Sequence, residues 1–357
     1  MHRMYKVLLN CNEFKSKPTG IGVVNNGLYL ALNNNDIECC SLDTSSNVPF
    51  DFVIKRIINS NKFTIIAQRI LWNEFVVPKL MKDLNCDYFL SPTIEAPLLV
   101  NVRSIVFAHD LIPLRFANHF MKKIFYKTYI PLVLKQSIHI LCNSYSTRDE
   151  LVETYSIDLS KISVIRLGYD RSSIYPLRLR RENFFLILGR HDHHKNIPNI
   201  LKAISLLKSK DYQFIFAGPF HRNLTPKLKR LCSSLGISDR CDWIEWIDTA
   251  KKLSLLNRCK ALLIPSLWEG FGLPALEAMA CGTPVVASRN GALPEVIGSL
   301  GVYVDPLDVT QIAASIERIC KEPAITIISE KQGPTRALQF DWKFATKKIE
   351  RIINKPM

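Results

Sequence analysis

The sequence predicts an α/β protein with two domains, each built on a parallel sheet. Short apolar runs that end in glycine or polar residues alternate with segments of helical composition, and this alternation restarts near the middle of the chain. The length of 357 residues suits two domains of ordinary size. With 47% hydrophobic and 22% charged residues, the composition is typical of a packed protein and not of a disordered one.

Composition also bears on compartment and metal content. No apolar run approaches the roughly 18 residues of a membrane-spanning helix, and the first residues lead into a strand pattern without the features of a signal peptide. The ten cysteines show no zinc-type spacing. We therefore expect a cytoplasmic protein, free or peripheral at the inner face of the membrane, with reduced thiols and no structural metal.

The formal net charge of +15 favours polyanionic partners, which include nucleic acid, anionic lipid headgroups and nucleotide diphosphates. The excess is spread along the chain without a long Lys/Arg block, so a nucleic-acid groove is not indicated. A charge that only maintains solubility is the alternative.

The first half begins with a strand, a pair of glycines and a helix. Tyr5 to Asn10 is the predicted strand, Gly20 and Gly22 follow a polar loop, and residues 23–32 suit a helix. This order forms a turn that can face a phosphate. A dinucleotide-binding turn would need a third glycine where Asn25 stands, which disfavours NAD. A flexible turn is the alternative.

Two polar residues stand at the end of the second of two predicted parallel strands. One or two helices are expected over 55–85, and strands over 88–91 and 104–109. His109 and Asp110 stand at the carboxyl end of the second strand, where ligands bind in open α/β sheets. His109 is therefore a candidate site residue, with a structural histidine as the alternative, and Asp110 can simply brace the loop.

Residues 116–136 form a predicted helix in which lysines interleave with apolar residues. Pro131 is expected to kink or divide it. Such a basic amphipathic stretch can contact an anionic membrane or a lipid-linked acceptor, and the alternative is a packed helix with a solvated face. Further strands are predicted over 138–143 and 162–166, with a helix that opens at 143–146.

Residues 168–181 are the best candidate for a linker, because they carry several arginines and no clear period. The alternation restarts with a strand over 184–189, followed by Arg190, three histidines and Lys195. Cations fixed at such a turn can stabilise negative charge on a bound group. The histidines are interpreted as loop residues because Asp192 is the single carboxylate among them. Further strands are predicted over 212–218, 243–247 and 301–306, and further helices over 227–235, 250–256, 309–320 and 342–353.

The most informative stretch combines a buried strand at 261–265, a loop at 270–272 and a helix that begins near Pro274. This arrangement directs unpaired backbone N–H groups and the positive end of a helix dipole to one place, which suits a phosphate. Glu269 and Glu277 flank the loop and are best explained as acceptors for the hydroxyls of a ribose and a sugar. The alternative is an ordinary strand–loop–helix unit with two solvated glutamates.

The spacing of Glu269 and Glu277, with Gly-Phe-Gly-Leu-Pro between them, resembles the signature of retaining glycosyltransferases of family 4, which have the GT-B fold. The sequence departs from the family at Trp246, where the family usually has glycine. Other segments that are similar to the family are 189–196, 212–219, 282–288 and 291–295.

The resemblance implies two Rossmann-like domains whose parallel sheets face a central cleft. It places an acceptor-side domain at 1–168, a linker at 169–181, a domain that binds the sugar nucleotide at 182–338, and a final helix at 339–357 that crosses back to the N-terminal domain.

The resemblance also implies roles for individual residues. Glu277 accepts hydrogen bonds from the ribose, and Glu269 holds the transferred sugar together with the backbone of residues 271–273. Arg190 and Lys195 neutralise the diphosphate with the Gly22 amide opposite, and His109 orients the sugar. The implied catalytic residues are His109, Arg190, Lys195 and Glu269. The implied donor-binding residues are Gly22, Gly189, Arg190, Lys195, Glu269, Gly270, Phe271, Gly272, Leu273 and Glu277.

The expected function is therefore transfer of a hexose, mannose or glucose, from a nucleotide-diphosphate sugar to a glycan or lipid-linked acceptor in the synthesis of surface polysaccharide. Front-face attack is favoured because it needs no protein base. The alternative is double displacement, which needs a carboxylate beneath the anomeric carbon, and Glu269 is the candidate in the motif. The sequence contains no Asp-x-Asp, so neither a metal nor another cofactor is expected. The alternative is a non-catalytic GT-B-like protein that binds nucleotides or polyanions, and an NAD-linked enzyme is disfavoured.

Overall fold

The computed structural model describes residues 5–10, 20–32, 38–41, 62–116 and 120–354. The chain divides into two compact units, each with one parallel sheet of six strands. The first unit comprises Met1–Gly168 and Asp341–Met357, and the second comprises Tyr169–Phe340. The predicted α/β class with two parallel sheets is therefore confirmed. Residues 169–181, which the sequence suggests as a linker, are grouped with the second unit.

The strands of the first sheet, numbered in chain order, are β1 (Lys6–Leu9), β2 (Glu38–Ser41), β3 (Tyr88–Ser91), β4 (Ser104–Ala108), β5 (His139–Cys142) and β6 (Ile162–Val164). Their spatial order is β2-β1-β3-β4-β5-β6, and every neighbouring pair is parallel. All residues of β3 and β4 are buried, which explains why these strands are mostly apolar and do not alternate between apolar and polar residues.

Helices of the first unit before residue 168 are α1 (Gly20–Leu32), α2 (Lys62–Leu71), α3 (Val77–Asp83), α4 (Ile112–Arg115), α5 (Phe120–Gln136) and α6 (Tyr145–Tyr155). The division expected at Pro131 does not occur, because α5 continues through it. Proline removes one intrahelical hydrogen bond, but Ile130, Val133 and Leu134 are buried in the core and hold both sides of the helix in place. The lysines of α5 are on its exposed face, as in the packed-helix interpretation.

The second sheet contains β7 (Phe184–Leu188), β8 (Gln213–Ala217), β9 (Cys241–Ile244), β10 (Ala261–Ile264), β11 (Val285–Ser288) and β12 (Val302–Val304). Its parallel strands follow the order β12-β11-β10-β7-β8-β9. Phe185, Phe214 and Phe216 are among the largest fully buried side chains. The strand predicted at 243–247 ends earlier, at Ile244, because its pairing partner β8 ends at Ala217.

Helices of the second unit are α7 (Ile197–Leu206), α8 (Leu224–Ser234), α9 (Thr249–Arg258), α10 (Leu273–Ala280), α11 (Leu293–Ile297), α12 (Val309–Lys321) and α13 (Pro323–Ala337). Helix α10 is mostly buried, and α13 packs along it. Gly333 permits this close packing, since a Cβ there would lie 2.8 Å from the carbonyl oxygen of Met279.

The last helix, α14 (Trp342–Ile353), packs against α1 in the first unit. Trp342 rests on two glycines, because a Cβ on Gly27 would lie 2.3 Å from its ring and a Cβ on Gly168 would lie 2.6 Å from its backbone nitrogen. At the other end of the helix, the Tyr88 hydroxyl donates to the Ile353 carbonyl at 3.1 Å. No helix among the described residues combines the length and the apolar character needed to cross a bilayer.

Candidate active site

Two loops of the second unit meet where the strand order of its sheet reverses. Strands β7 and β10 are parallel neighbours, and the chain leaves them toward opposite edges of the sheet. Arg190 follows β7, and Glu269 follows β10. The backbone N–H of Leu267 donates to the carbonyl of His194 at 2.7 Å, which joins the two loops. Ligands of open α/β sheets bind at such a reversal, beyond the carboxyl ends of the strands.

Helix α10 begins at this point with an open N-terminus. Gly272 precedes the helix with φ of +96°, a left-handed conformation that glycine adopts without strain, and Pro274 lies in the first turn. Gly270 and Phe271 are buried in the loop. Among the described residues, no hydrogen-bond acceptor faces the backbone N–H groups of Phe271, Gly272 and Leu273. These groups and the helix dipole favour an anion here.

Glu269 is buried, and its carboxylate is held by two donors. Oε1 accepts from Lys195 Nζ at 2.6 Å and from Ser266 Oγ at 2.6 Å. Oε2 has no partner in the described part of the chain. Burial alone would raise the pKa of Glu269, but the charges of Lys195 and His194 and the two hydrogen bonds outweigh it and lower the pKa below its usual value. The carboxylate is thus ionised at neutral pH and keeps one oxygen available.

The backbone of Glu269 is held by the loop that follows β11. Its carbonyl accepts from the N–H of Ala292 at 2.9 Å. Gly291 lies against the same peptide with φ of +63°, and a Cβ there would come within 2.2 Å of the Glu269 carbonyl oxygen. No side chain larger than hydrogen fits at residue 291 without displacing Glu269.

Lys195 reaches Glu269 from a short turn whose geometry depends on two neighbours. Asn196 adopts φ of +57° and donates from Nδ2 to the carbonyls of Pro265 at 3.0 Å and Pro306 at 2.6 Å. Gly189, at the end of β7, has φ of +134°, and a Cβ there would lie 3.0 Å from Lys195 Cε. The lysine side chain therefore passes over a glycine on its way to the carboxylate.

Glu277, one turn into α10, forms a second lysine–glutamate pair. Its Oε1 lies 2.6 Å from Nζ of Lys252, which is in the first turn of α9. The side chains of Glu277 and Lys252 are 12% and 26% exposed, so the pair is largely shielded from solvent but accessible to a ligand. Oε2 of Glu277, like that of Glu269, has no partner among the described residues. In both glutamates that the sequence singles out, one carboxylate oxygen therefore accepts from a lysine, and the other has no partner among the described residues.

Arg190 and His191 are adjacent but differ in environment. The Arg190 side chain is 58% exposed and lies 3.6 Å from an oxygen of Asp192, so it can move toward a ligand. His191 is buried and shares a hydrogen bond of 3.0 Å with Thr225 Oγ1, and burial lowers its pKa to about 4. His191 is thus part of the core. Nowhere in the described ranges do three His, Cys, Asp or Glu side chains gather as ligands for a metal ion.

Two predicted site residues belong to the first unit. His109 follows β4, stacks on Phe107 at 4.3 Å between ring centroids, and shares a 2.7 Å hydrogen bond with the carbonyl of Pro92. Burial lowers the pKa of His109 to about 4, so the ring is neutral at pH 7. Gly22 is the third residue of α1, which starts at Gly20 and not at the predicted position 23. The two glycines thus form the first turn of the helix and do not precede it.

The second unit therefore brings together the residues predicted from the two motifs after β7 and β10. Three contributors were not predicted as site residues: Ser266, Lys252 and Gly291. Ser266 carried a usable signal, since it is a polar residue directly after a buried strand. Lys252 carried a weaker one, because a cation in the first turn of a helix opposes the helix dipole.

Comparisons with known families place these features in context. The family described as Glycosyltransferase Family 4 matches residues 20–173, and the family described as Glycosyl transferases group 1 matches residues 176–333. The chain belongs to the family 4 glycosyltransferases. The second match contains both glutamates, Glu269 and Glu277, and both cations after β7, Arg190 and Lys195.

Relatives with described activities share about 30% of their residues with this chain over the matched segments. The chain is 29% identical to the O-antigen chain mannosyltransferase RfbU of Salmonella typhimurium, over 64% of this chain and 63% of that protein. It is 31% identical to an MMP alpha-(1->4)-mannosyltransferase of Mycolicibacterium hassiacum, over 59% of this chain and 52% of that protein. The match thus spans less than two thirds of these relatives.

Solved structures confirm the GT-B fold. A sucrose-phosphate synthase of Thermosynechococcus elongatus matches with a TM-score of 0.80 at 18% identity, over 98% of both chains. Anabaena HepE in complex with UDP and glucose matches with a TM-score of 0.76 at 16% identity, over 98% of this chain and 99% of that one. At these identities the likeness concerns the fold.

Proposed function

We propose that the protein is a retaining glycosyltransferase that moves a hexose from a nucleotide-diphosphate sugar to a glycan or lipid-linked acceptor. The observation that carries the proposal is the pair of buried glutamates, Glu269 and Glu277, around the open N-terminus of α10. Each holds one carboxylate oxygen on a lysine and leaves the other without a partner among the described residues. A site with anion-binding N–H groups between two hydroxyl acceptors suits a phosphorylated sugar.

In this proposal the donor lies across the loop before α10. The Phe271, Gly272 and Leu273 N–H groups and the cations Arg190 and Lys195 face the diphosphate. Glu277 accepts from the ribose hydroxyls, and Glu269 accepts from hydroxyls of the transferred sugar. Gly22 and His109 keep the roles that the family resemblance implies, a backbone amide for the diphosphate and an imidazole that orients the sugar, and this imidazole is neutral at pH 7.

The reaction proposed is front-face substitution. The acceptor hydroxyl attacks the anomeric carbon on the side from which the diphosphate departs, and the departing phosphate oxygen takes the hydroxyl proton. Negative charge therefore grows on the diphosphate, where fixed cations and N–H groups lower the barrier most. Glu269 is ionised, and it holds a sugar hydroxyl in place without accepting the proton that is transferred.

The donor is proposed to react without a metal ion or another cofactor. The sequence has no Asp-x-Asp to hold a divalent cation on the diphosphate, and Arg190 and Lys195 supply positive charge at the same place. Unchanged activity after EDTA treatment is the expected result.

Mannose or glucose is the proposed sugar, and surface polysaccharide is the proposed product. Support comes from two relatives that are named mannosyltransferases and from the HepE complex with UDP and glucose. We propose a cytoplasmic location, free or in peripheral contact with an anionic membrane through the exposed lysines of α5, and no nucleic-acid partner.

The test is slow hydrolysis of a panel of UDP- and GDP-sugars, with and without EDTA. Glu269→Gln is expected to reduce hydrolysis of the best donor at least about a hundredfold, because the proposed sugar contact is lost. Glu245→Gln, an exposed glutamate of the same unit, is the matched control and should hydrolyse at the parent rate. Nucleotide binding without hydrolysis or transfer would instead favour a non-catalytic GT-B-like binding protein.

A further inference from the structure

The geometry points to Lys252 as a positioning residue that makes the site selective for ribose, an inference that rests on the proposed function. Lys252 contacts Glu277, the residue proposed to accept from the ribose, and is not itself assigned a contact with the donor. Its ammonium lies 2.6 Å from Glu277 Oε1. We infer that this contact fixes the direction of the Glu277 carboxylate before the nucleotide arrives.

The ion pair between Lys252 and Glu277 offsets an unfavourable interaction of Lys252 with the dipole of its own helix. Asp248 caps α9 by accepting from the N–H of Lys251 at 2.7 Å, so Lys252 is in the first turn. A cation there is repelled by the positive end of the helix dipole. Glu277 reverses that cost, because a short ion pair with little solvent exposure is screened less than a surface pair.

Lys252 also controls which atoms of Glu277 remain available. The glutamate is on a buried helix, with its Cα fixed by the packing of α10 against α13. With Oε1 held by the ammonium, Oε2 is the carboxylate oxygen without a partner in the described chain. A neighbouring pair of hydroxyls, as in a ribose, needs such a preoriented acceptor, because ordering a free side chain on binding reduces the affinity gained.

The charge balance of the site depends on the same residue. Lys195 offsets Glu269 and Lys252 offsets Glu277, whereas Arg190 is exposed and pairs only loosely with Asp192, at 3.6 Å. Loss of Lys252 would leave an uncompensated carboxylate beside the place proposed for a diphosphate. Like charges would then oppose nucleotide binding, and Glu277 would be free to rotate.

The test compares nucleotides that differ by one hydroxyl. Dissociation constants are measured by calorimetry for UDP against 2′-deoxy-UDP, and for GDP against 2′-deoxy-GDP, with the full chain. The parent protein should bind the ribonucleotide about tenfold more tightly, as expected for one hydrogen bond to a charged group. Lys252→Met should bring that ratio to within about twofold, whereas Lys252→Arg should keep most of it.

Lys251→Met is the matched control, because it removes the same charge from the adjacent exposed residue, which has no side-chain partner in the described chain. It should leave the ratio at the parent value. A purely structural role for Lys252 would weaken both nucleotides equally, and an unchanged ratio with Lys252→Met would likewise overturn the inference. If the parent binds none of the four nucleotides, the proposed function fails as well, which is a distinct outcome.

Discussion

Lys195 Nζ lies 2.6 Å from Glu269 Oε1, and both side chains are largely buried, at 13% and 8% exposure. The pair joins the turn after β7 to the loop after β10. A buried pair of this kind contributes little net stability relative to apolar residues, but removal of one partner leaves an uncompensated charge. Loss of one partner should therefore change the free energy of unfolding, which can be measured without a bound nucleotide.

Lys195→Met is expected to lower the free energy of unfolding at pH 7 by about 3 kcal/mol, because Glu269 would be a buried carboxylate without its cation. The folded-state pKa of Glu269 lies below its usual value, so the pair's stabilisation is complete above that usual value and is lost as the pH falls through the folded pKa. In the variant that pKa should rise. Urea unfolding at pH 7 and pH 4 should show a smaller difference from the parent at pH 4. An equal difference at both pH values would contradict the assignment.

Arg190→Met should separate binding from stability. The side chain is 58% exposed and its nearest acid is at 3.6 Å, so the free energy of unfolding should change by less than about 0.5 kcal/mol. Affinity for the nucleotide diphosphate should fall about tenfold at low salt and less at high salt, since the interaction is screened. Arg230→Met, which removes an exposed arginine of α8, is the control. Equal losses in the two variants would show a general charge effect and not a site at Arg190.

Gly291→Ala is expected to reduce donor hydrolysis in addition to stability. A methyl group there would meet the Glu269 carbonyl at 2.2 Å, so the loop that holds the catalytic candidate must shift. Gly236→Ala is a matched control, because Gly236 also has a positive φ, +67°, but open space around its Cβ position. Both should lose about 1 kcal/mol from the backbone conformation, and the clash with the Glu269 carbonyl should add to the loss in Gly291→Ala. Only Gly291→Ala should also reduce donor hydrolysis, and hydrolysis at the Gly236→Ala rate would argue against the contact.

Gly27→Ala should destabilise the first unit, because its methyl group would overlap the Trp342 ring. Overpacking of this kind costs about 1–3 kcal/mol. In the double variant Gly27→Ala, Trp342→Ala the loss should be smaller than the sum of the single losses, because the clash is absent. Thermal unfolding of the four proteins measures this coupling. Strict additivity would mean that the two residues do not touch in solution.

The sequence predicted the elements that its local pattern encodes. The strand at 261–265, the loop at 270–272 and the start of α10 follow from a short apolar run, two glycines and a proline, and the structure has all three. The unbroken helix through Pro131 could not be predicted, because packing of Ile130 and Leu134 overrides the local effect of proline.

The charged partners were harder to predict than the backbone. Lys252 and Glu277 are 25 residues apart on different helices, and their contact depends on how α9 and α10 pack. The Lys195–Glu269 pair spans 74 residues, although each member stood in a recognised motif. Sequence patterns identify residues that need a counter-charge, but only the tertiary arrangement shows which counter-charge they receive.

The position of Trp342 has a consequence for synthesis of the chain. The second unit is one continuous stretch, whereas the first unit needs residues from both ends of the sequence. During translation, the second unit can reach its final structure while the groove beside Gly27 is still empty. The N-terminal unit is complete only after the last helix has been synthesised. A premature stop codon shortly before Trp342 would therefore leave the second unit intact and destabilise the first.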